Sequence, residues 1–481
     1  MFRFINSKYF PFWLMSLTIL SALILPVLVM EGIFMDGLLY STVSKNLADG
    51  YGNMWFLKYS HYGFAEHPTF HEHPPLIFWM QSLFFQLFGD GMWVERLYSY
   101  TTAIVGAWLI VKNWQIIFPK HFKTTGWLPV LLWIIIPVGF WSYQNNMHEN
   151  TLAIFALASV YFILKAVHLN DKVWTNLILG AIMIFCAGFA KGIPGLFTLG
   201  TIFFHWITFR KQSFIVMCLQ SLILLVVPAI ILFGILQIPE AKESLSIYFY
   251  DRLLGRIDGA HTADSHFFIL IRLIQEILPS FVLVGITLLI LKWRKVQLHI
   301  QKSHLKWSLF FFLVGLSGSI PLMLTLVQKT FYFVGSLPFF GLSFASLLAP
   351  SIQPLLEKIK PESVGLKIFR SVSILSFGAV ILFTAMNYGK VNRGGFVAQD
   401  LQKMEEHLSP YSIVSIHPKM SQDWNFRLSL MRYYKVSVES PFQIDQPYYI
   451  FDKTIQDTVP SIYQKVPLET EQFELYQKVE K

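Results

Sequence analysis

Charge is what this sequence has least of. Asp, Glu, Lys and Arg together make up 14% of its 481 residues, against 54% for the hydrophobic types. Ordinary soluble domains carry about 25% charged residues, so a water-soluble globular fold is excluded. Cysteine is nearly absent: Cys186 and Cys218 both sit inside apolar runs, and imply neither a disulfide framework nor a metal site. Internal repeats and low-complexity segments are lacking too. What is abundant is apolar sequence in long runs, with a mean hydropathy of +0.50, which defines a polytopic membrane protein. The net charge of +9 does not indicate nucleic acid, because Lys and Arg fall in short connections between the runs. That is how cytoplasmic loops face anionic lipid.

Arg3 and Lys8 precede an apolar run from Phe12 to Met30, read as an uncleaved first span with its N-terminus inside. Further runs lie near 93–111, 127–143, 151–168, 174–190, 193–209, 214–237, 277–292, 307–327, 331–349 and 368–386, making about eleven spans. The stretch 74–89, PPLIFWMQSLFFQLFG, decides the parity. If it spanned, Lys112, Lys120 and Lys123 would lie outside, against the positive-inside rule. It is therefore read as a short helix at the outer surface, with Gln81, Ser82 and Gln86 as its wetter side. Three outer features follow: residues 31–92, the loop 238–275, and everything after about Tyr388. This last part alternates short amphipathic and β-rich pieces. The expected organisation is a transmembrane domain, 1–387, and a small extracytoplasmic α/β domain, 388–481.

Chemistry-bearing residues concentrate at the outer ends of the spans. Asp36 reads both as a helix start and as a catalytic carboxylate, and Glu149 approaches from another span end. Two carboxylates at one outer cavity suit general-base work on a hydroxyl, or a divalent metal. Lys191 and Lys329 stand where the orientation rule would not place them. They either snorkel to the interface or neutralise an anion, with Arg96, Arg252, Arg256 and His73 as further candidates. His71 and His73, near His67, Glu66 and Glu72, have a spacing compatible with zinc. Without cysteine or a helical His-x-x-x-His pair, hydrogen-bonding histidines with His73 facing an anion are the better reading.

The pieces MDGLLYSTVSKNLADG, HEHPPLIFWMQSLFFQLFG, VERLYSYTTAIVGAWL, AGFAKGIPGL and QKTFYFVGSLPFFGL occur in the order found in a known family. The chain resembles the C-type (GT-C) membrane glycosyltransferases, in the branch of protein O-mannosyltransferases and the lipid A aminoarabinose transferase. That resemblance implies transfer of a sugar from a polyprenyl-phosphate donor to a lipid, glycan or protein acceptor at the outer face of a bacterial inner membrane. By analogy Asp36 is the catalytic carboxylate and Glu149 the second acid. His73 occupies a position often filled by a phosphate-contacting Lys, and Lys329 and Tyr332 line the same cavity. Two positions depart from the pattern: Gly37 stands where a second acid usually follows the first Asp, and Glu149 replaces Asp. Both leave any metal requirement open. The rival reading, a transporter or lipid flippase, predicts internal repeats and charges near the bilayer midplane. Here the charges sit at span ends.

Overall fold

A computed structural model of the chain describes residues 7–61, 68–255, 261–438 and 445–479. Its helices, in chain order, are α1 (Phe10–Leu28), α2 (Met35–Ala48), α3 (Leu76–Phe88), α4 (Val94–Ile117), α5 (Trp127–Ile134), α6 (Pro137–Gln144), α7 (His148–Val167) and α8 (Val173–Lys191). A 3-10 stretch, Ile193–Gly200, then runs into α9 (Thr201–Phe209), followed by α10 (Phe214–Ile235), α11 (Phe268–Trp293) and α12 (Lys302–Ser319). A 3-10 turn, Thr330–Ser336, leads into α13 (Leu337–Lys358), and α14 (Val364–Asn387) ends the bundle.

All eleven apolar runs are thus helical. Among the described residues eight segments are long and apolar enough to cross a membrane, or nine with one bent pair. Two more helical runs fall outside that test for physical reasons. Helix α4 has 24 residues but buries the polar Ser99, Thr102 and Asn113 against its neighbours. The Ile193–Phe209 segment has only 17 residues, but half is 3-10 helix, which rises about 2.0 Å per residue instead of about 1.5 Å, so it still reaches about 30 Å. The run 127–143, expected as one span, is broken: its two parts turn by 79°. Pro137 opens α6, and with no N–H to continue the preceding helix it enforces the break.

The parity argument is met in the contacts. Arg96, near the start of α4, donates to the carbonyls of Leu28 (2.7 Å) and Met30 (2.8 Å), so α4 begins where α1 ends. Helix α3, of 13 residues, lies between them and is too short to span. At the opposite end Lys8 Nζ donates to the carbonyls of Glu357 (2.7 Å) and Ile359 (3.2 Å), and Trp13 Nε1 to that of Lys123 (2.8 Å). The lysine-rich connections therefore gather at the end away from residues 31–92. The assignment of the wetter side of α3 is corrected in part: Gln86 is exposed as expected, but the other two residues are not. Gln81 and Ser82 are buried, and Ser44 Oγ donates to Gln81 Oε1 at 3.1 Å. Leu83, Leu87 and Phe88 are exposed instead: α3 turns its polar side to α2 and its apolar side outward, as a helix lying against lipid does.

After α14 the chain builds a five-stranded sheet in the order β2-β1-β3-β5-β4. β1 (Ile413–Ile416) runs parallel to β2 (Ser437–Val438) and β3 (Tyr448–Asp452), while β5 (Phe473–Lys478) runs antiparallel to β3 and β4 (Tyr463–Lys465). Helix α15 (Gly395–Met404) packs Leu401 and Met404 into a core with Val414, Ile450 and Leu475. Its buried Asp400 accepts the backbone N–H groups of Glu471, Gln472 and Phe473 at 2.7–2.9 Å. Arg432 ties this unit to the helical bundle, donating to Glu95 Oε2 at 2.6 Å and to the carbonyls of Asp90 and Gly91.

Candidate active site

Asp36 lies in the first turn of α2, where free backbone N–H groups and the helix dipole favour a carboxylate. The position of α2 is fixed by the loop before α7. Phe34 N donates to Asn145 Oδ1 at 2.8 Å, and Asn146 Nδ2 to Ser41 Oγ at 3.1 Å. Gly37 meets this loop so closely that a Cβ would stand 1.8 Å from the Asn145 carbonyl oxygen. No side chain fits there, which explains why no second acid follows Asp36. The same loop opens α7, so Glu149, in the first turn of α7, is carried to the same cavity.

One turn after Asp36, Tyr40 links the cluster. Lys191 Nζ donates to its hydroxyl at 3.2 Å, and that hydroxyl lies 3.3 Å from His73 Nε2. Lys191 Nζ is also 3.1 Å from Glu149 Oε1, an ion pair by distance that lacks hydrogen-bond geometry. Lys191 ends α8. It is followed by Gly192 at φ +79°, where a Cβ would fall 2.0 Å from the Tyr248 hydroxyl, so only glycine lets the 238–275 loop close on the cluster. Lys329 is exposed at the head of the Thr330–Ser336 turn. Its neighbour Gln328 is anchored by bonds to Ile269 N (2.9 Å) and to the Thr325 carbonyl (2.8 Å). The turn carries Tyr332 and packs against the start of α7, with Gly335 beside Leu152.

Burial raises the pKa of Asp36 from its ordinary value; Lys191 opposes this, Glu149 and Glu72 add to it, and Lys329 opposes it again. All four groups therefore lie within electrostatic reach of Asp36. Burial, with Asp36 and Glu149 nearby, also holds the Tyr40 phenol protonated well beyond its ordinary range, so Tyr40 is a donor to any ligand. Beside the cluster runs an apolar groove of about 520 Å³, lined among others by Pro74, Phe189, Gly192, Leu196, Leu232 and Tyr248. Pro74 and Gly192 follow His73 and Lys191 directly in the chain, so the groove passes the backbone next to these two residues.

Residues 72–235 match the family model of dolichyl-phosphate-mannose-protein mannosyltransferases. The fold is similar to that of ArnT from Cupriavidus metallidurans, solved bound to undecaprenyl phosphate and in the apo state. In each case the TM-score is 0.65 with 14% identity, over 96% of both chains. The chain has the fold of a C-type membrane glycosyltransferase. The Archaeoglobus fulgidus oligosaccharyltransferase is similar at a TM-score of 0.53 and 13% identity, over 93% of this chain and 70% of that one. No curated protein matches by sequence.

Within this GT-C fold the other sequence candidates separate. Arg96 is not at the cavity: buried, it is committed to the carbonyls of Leu28, Met30 and Met92 and lies 3.5 Å from Glu95. Arg252 pairs with Glu72 at 3.1 Å, and Glu72 also accepts the Tyr59 hydroxyl at 2.8 Å, so these two charges largely answer each other. His71 forms hydrogen bonds with Thr69 Oγ1 (2.8 Å) and Ser244 Oγ (3.1 Å), in keeping with the reading of hydrogen-bonding histidines. Arg256, His67 and Glu66 lie outside the described residues. Among the described residues no three His, Cys, Asp or Glu side chains gather as a metal-binding set, and Glu149 faces the ammonium of Lys191 instead. Sequence reasoning missed Tyr40 and His148. Tyr40 sits four residues after Asp36, on the same helix face. For His148 the only signal was its place beside Glu149.

Proposed function

We propose that this chain transfers a sugar from a polyprenyl-phosphate donor to an acceptor hydroxyl at the outer, periplasmic face of a bacterial inner membrane. The observation that carries this reading is the junction of the apolar groove with the cationic end of the cluster. A lipid tail lies in the groove between α8 and α10, and its phosphate meets Lys191 and His73, with Lys329 as a further cation. Asp36 takes the proton of the acceptor as its oxygen attacks the anomeric carbon. The bond from that carbon to the phosphate oxygen breaks, and the electron pair leaves with the polyprenyl phosphate. Cations placed where this charge develops supply what is usually the largest catalytic term. Burial of Asp36 suits its role, since a carboxylate of raised pKa is a stronger base. Glu149 holds Lys191 in place, and Tyr332 lines the cavity.

In this reading residues 1–387 form the transferase domain and residues 388–481 an extracytoplasmic domain that buttresses it. The acceptor is a lipid, glycan or protein presented from the outer side. The test is turnover of a polyprenyl-phospho-sugar by the purified chain and its Asp36→Asn variant. Loss of transfer with retained folding is expected, and undiminished transfer overturns the assignment.

A further inference from the structure

His148 has no role in the mechanism above, and its setting is unusual. It is 2% exposed, the first residue of α7, and its ring lies flat on that of Tyr40, with centroids 3.5 Å apart and planes 17° apart. Phe78 meets it edge-on at 4.7 Å and the His73 ring stands 5.8 Å away. Among the described residues neither ring nitrogen has a hydrogen-bond partner. A buried imidazole carries at least one N–H donor, and leaving it unmatched is costly. A ring needed only to pack on Tyr40 would be replaced at less cost by phenylalanine. One face of the ring is covered by Tyr40, and it stands beside His73 in the cluster that Lys191 joins through the Tyr40 hydroxyl, next to the residues that border the groove.

We infer that His148 is a phosphate-binding residue, donating its ring N–H to the phosphate of the lipid donor and completing, with His73, Lys191 and the Tyr40 hydroxyl, a cradle of donors around it. This rests on the polyprenyl-phosphate reading. It gives the stacked ring a second duty, because the contact with Tyr40 fixes the direction in which its nitrogens point. The cradle is built from four segments: α2, the loop before α3, α7 and α8.

The test is binding of polyprenyl monophosphate, and of the uncharged polyprenol as its control, to the full chain in detergent. His148→Phe keeps the stack on Tyr40 and removes both nitrogens, while His148→Gln keeps a donor. The wild type is expected to prefer the phosphate. His148→Phe should weaken phosphate binding by about ten-fold or more, the loss of one hydrogen bond to a charged group, with polyprenol binding and thermal unfolding unchanged, and His148→Gln should recover part of the loss. Equal phosphate binding by wild type and His148→Phe, or a parallel loss for polyprenol, makes His148 a packing residue and overturns the inference. A wild type that binds both lipids alike overturns the donor reading itself.

Discussion

Two buried charge clusters stand at the same end of the bundle, and they are put together differently. Around Glu95, the guanidinium groups of Arg96 and Arg432 are directed at the carbonyls of Leu28, Met30, Met92, Asp90 and Gly91, and Arg432 reaches Glu95 at 2.6 Å. The Arg432 guanidinium also lies over the Phe85 ring of α3 at 4.8 Å. Around Asp36 the side chains meet one another rather than the backbone. Lys191 contacts Tyr40 and Glu149, His73 contacts Tyr40, and His148 keeps both nitrogens without a protein partner among the described residues. The first cluster is a clasp between the sheet domain and the start of α4. The first leaves only single atoms unmatched, Glu95 Oε1 and Arg432 Nε, whereas the second leaves whole groups, both nitrogens of His148 and both carboxylate oxygens of Glu149, without a hydrogen bond among the described residues, the condition a ligand site must meet. Burial alone does not tell a structural charge from a functional one; the destination of its hydrogen bonds does.

That contrast sets the expected outcomes. Asp36→Asn should lower kcat by about 10²- to 10⁴-fold, the range of a general base, while leaving thermal unfolding in detergent unchanged. An equal loss of stability would place Asp36 among the structural charges. Arg432→Ala should do the reverse. It leaves Glu95 buried without its closest cation and should cost about 3–5 kcal/mol, read as earlier unfolding and faster proteolysis of the C-terminal domain. Lys191→Met should weaken donor use by about ten-fold or more, since it removes a charged partner of the phosphate. It should also move the pH profile. A general base must be ionised, so kcat/KM falls towards acid with a midpoint above the ordinary Asp value of about 3.9. Lys191 holds the raised pKa of Asp36 down, so its removal shifts that midpoint to higher pH. Arg252→Ala should change stability least, by about 1 kcal/mol or less, because its pair with Glu72 is partly exposed.

The opposite behaviour of Arg96 and Lys191 shows how far the sequence could be read. Both are cations at the ends of spans, and hydropathy cannot separate them. Arg96 is one turn into α4, close enough to the end of α1 for its planar fork to serve the last carbonyls there. Lys191 ends α8, where its chain reaches the hydroxyl of a tyrosine from another helix. Gly37 makes the same point: its missing side chain looked like a lost acid and is a requirement for docking α2 on the Asn145 loop. The wetter side of α3 was partly misjudged because a short helix against lipid can hide its polar residues in protein contacts, as Gln81 does with Ser44.

By itself the sequence determined the helical bundle, its parity, the short α3 helix and the place of Asp36 at a helix start. Run length, lysine placement and proline are local properties, and membrane crossing depends on little else. Only the tertiary structure decided which charges meet, because Asp36, His73, His148 and Lys191 come from four separate elements. Their contacts depend on close approaches such as that of Gly37 to Asn145 and Gly192 to Tyr248. The groove was likewise beyond the sequence: its lining is apolar, like every other span surface, and packing alone leaves it open.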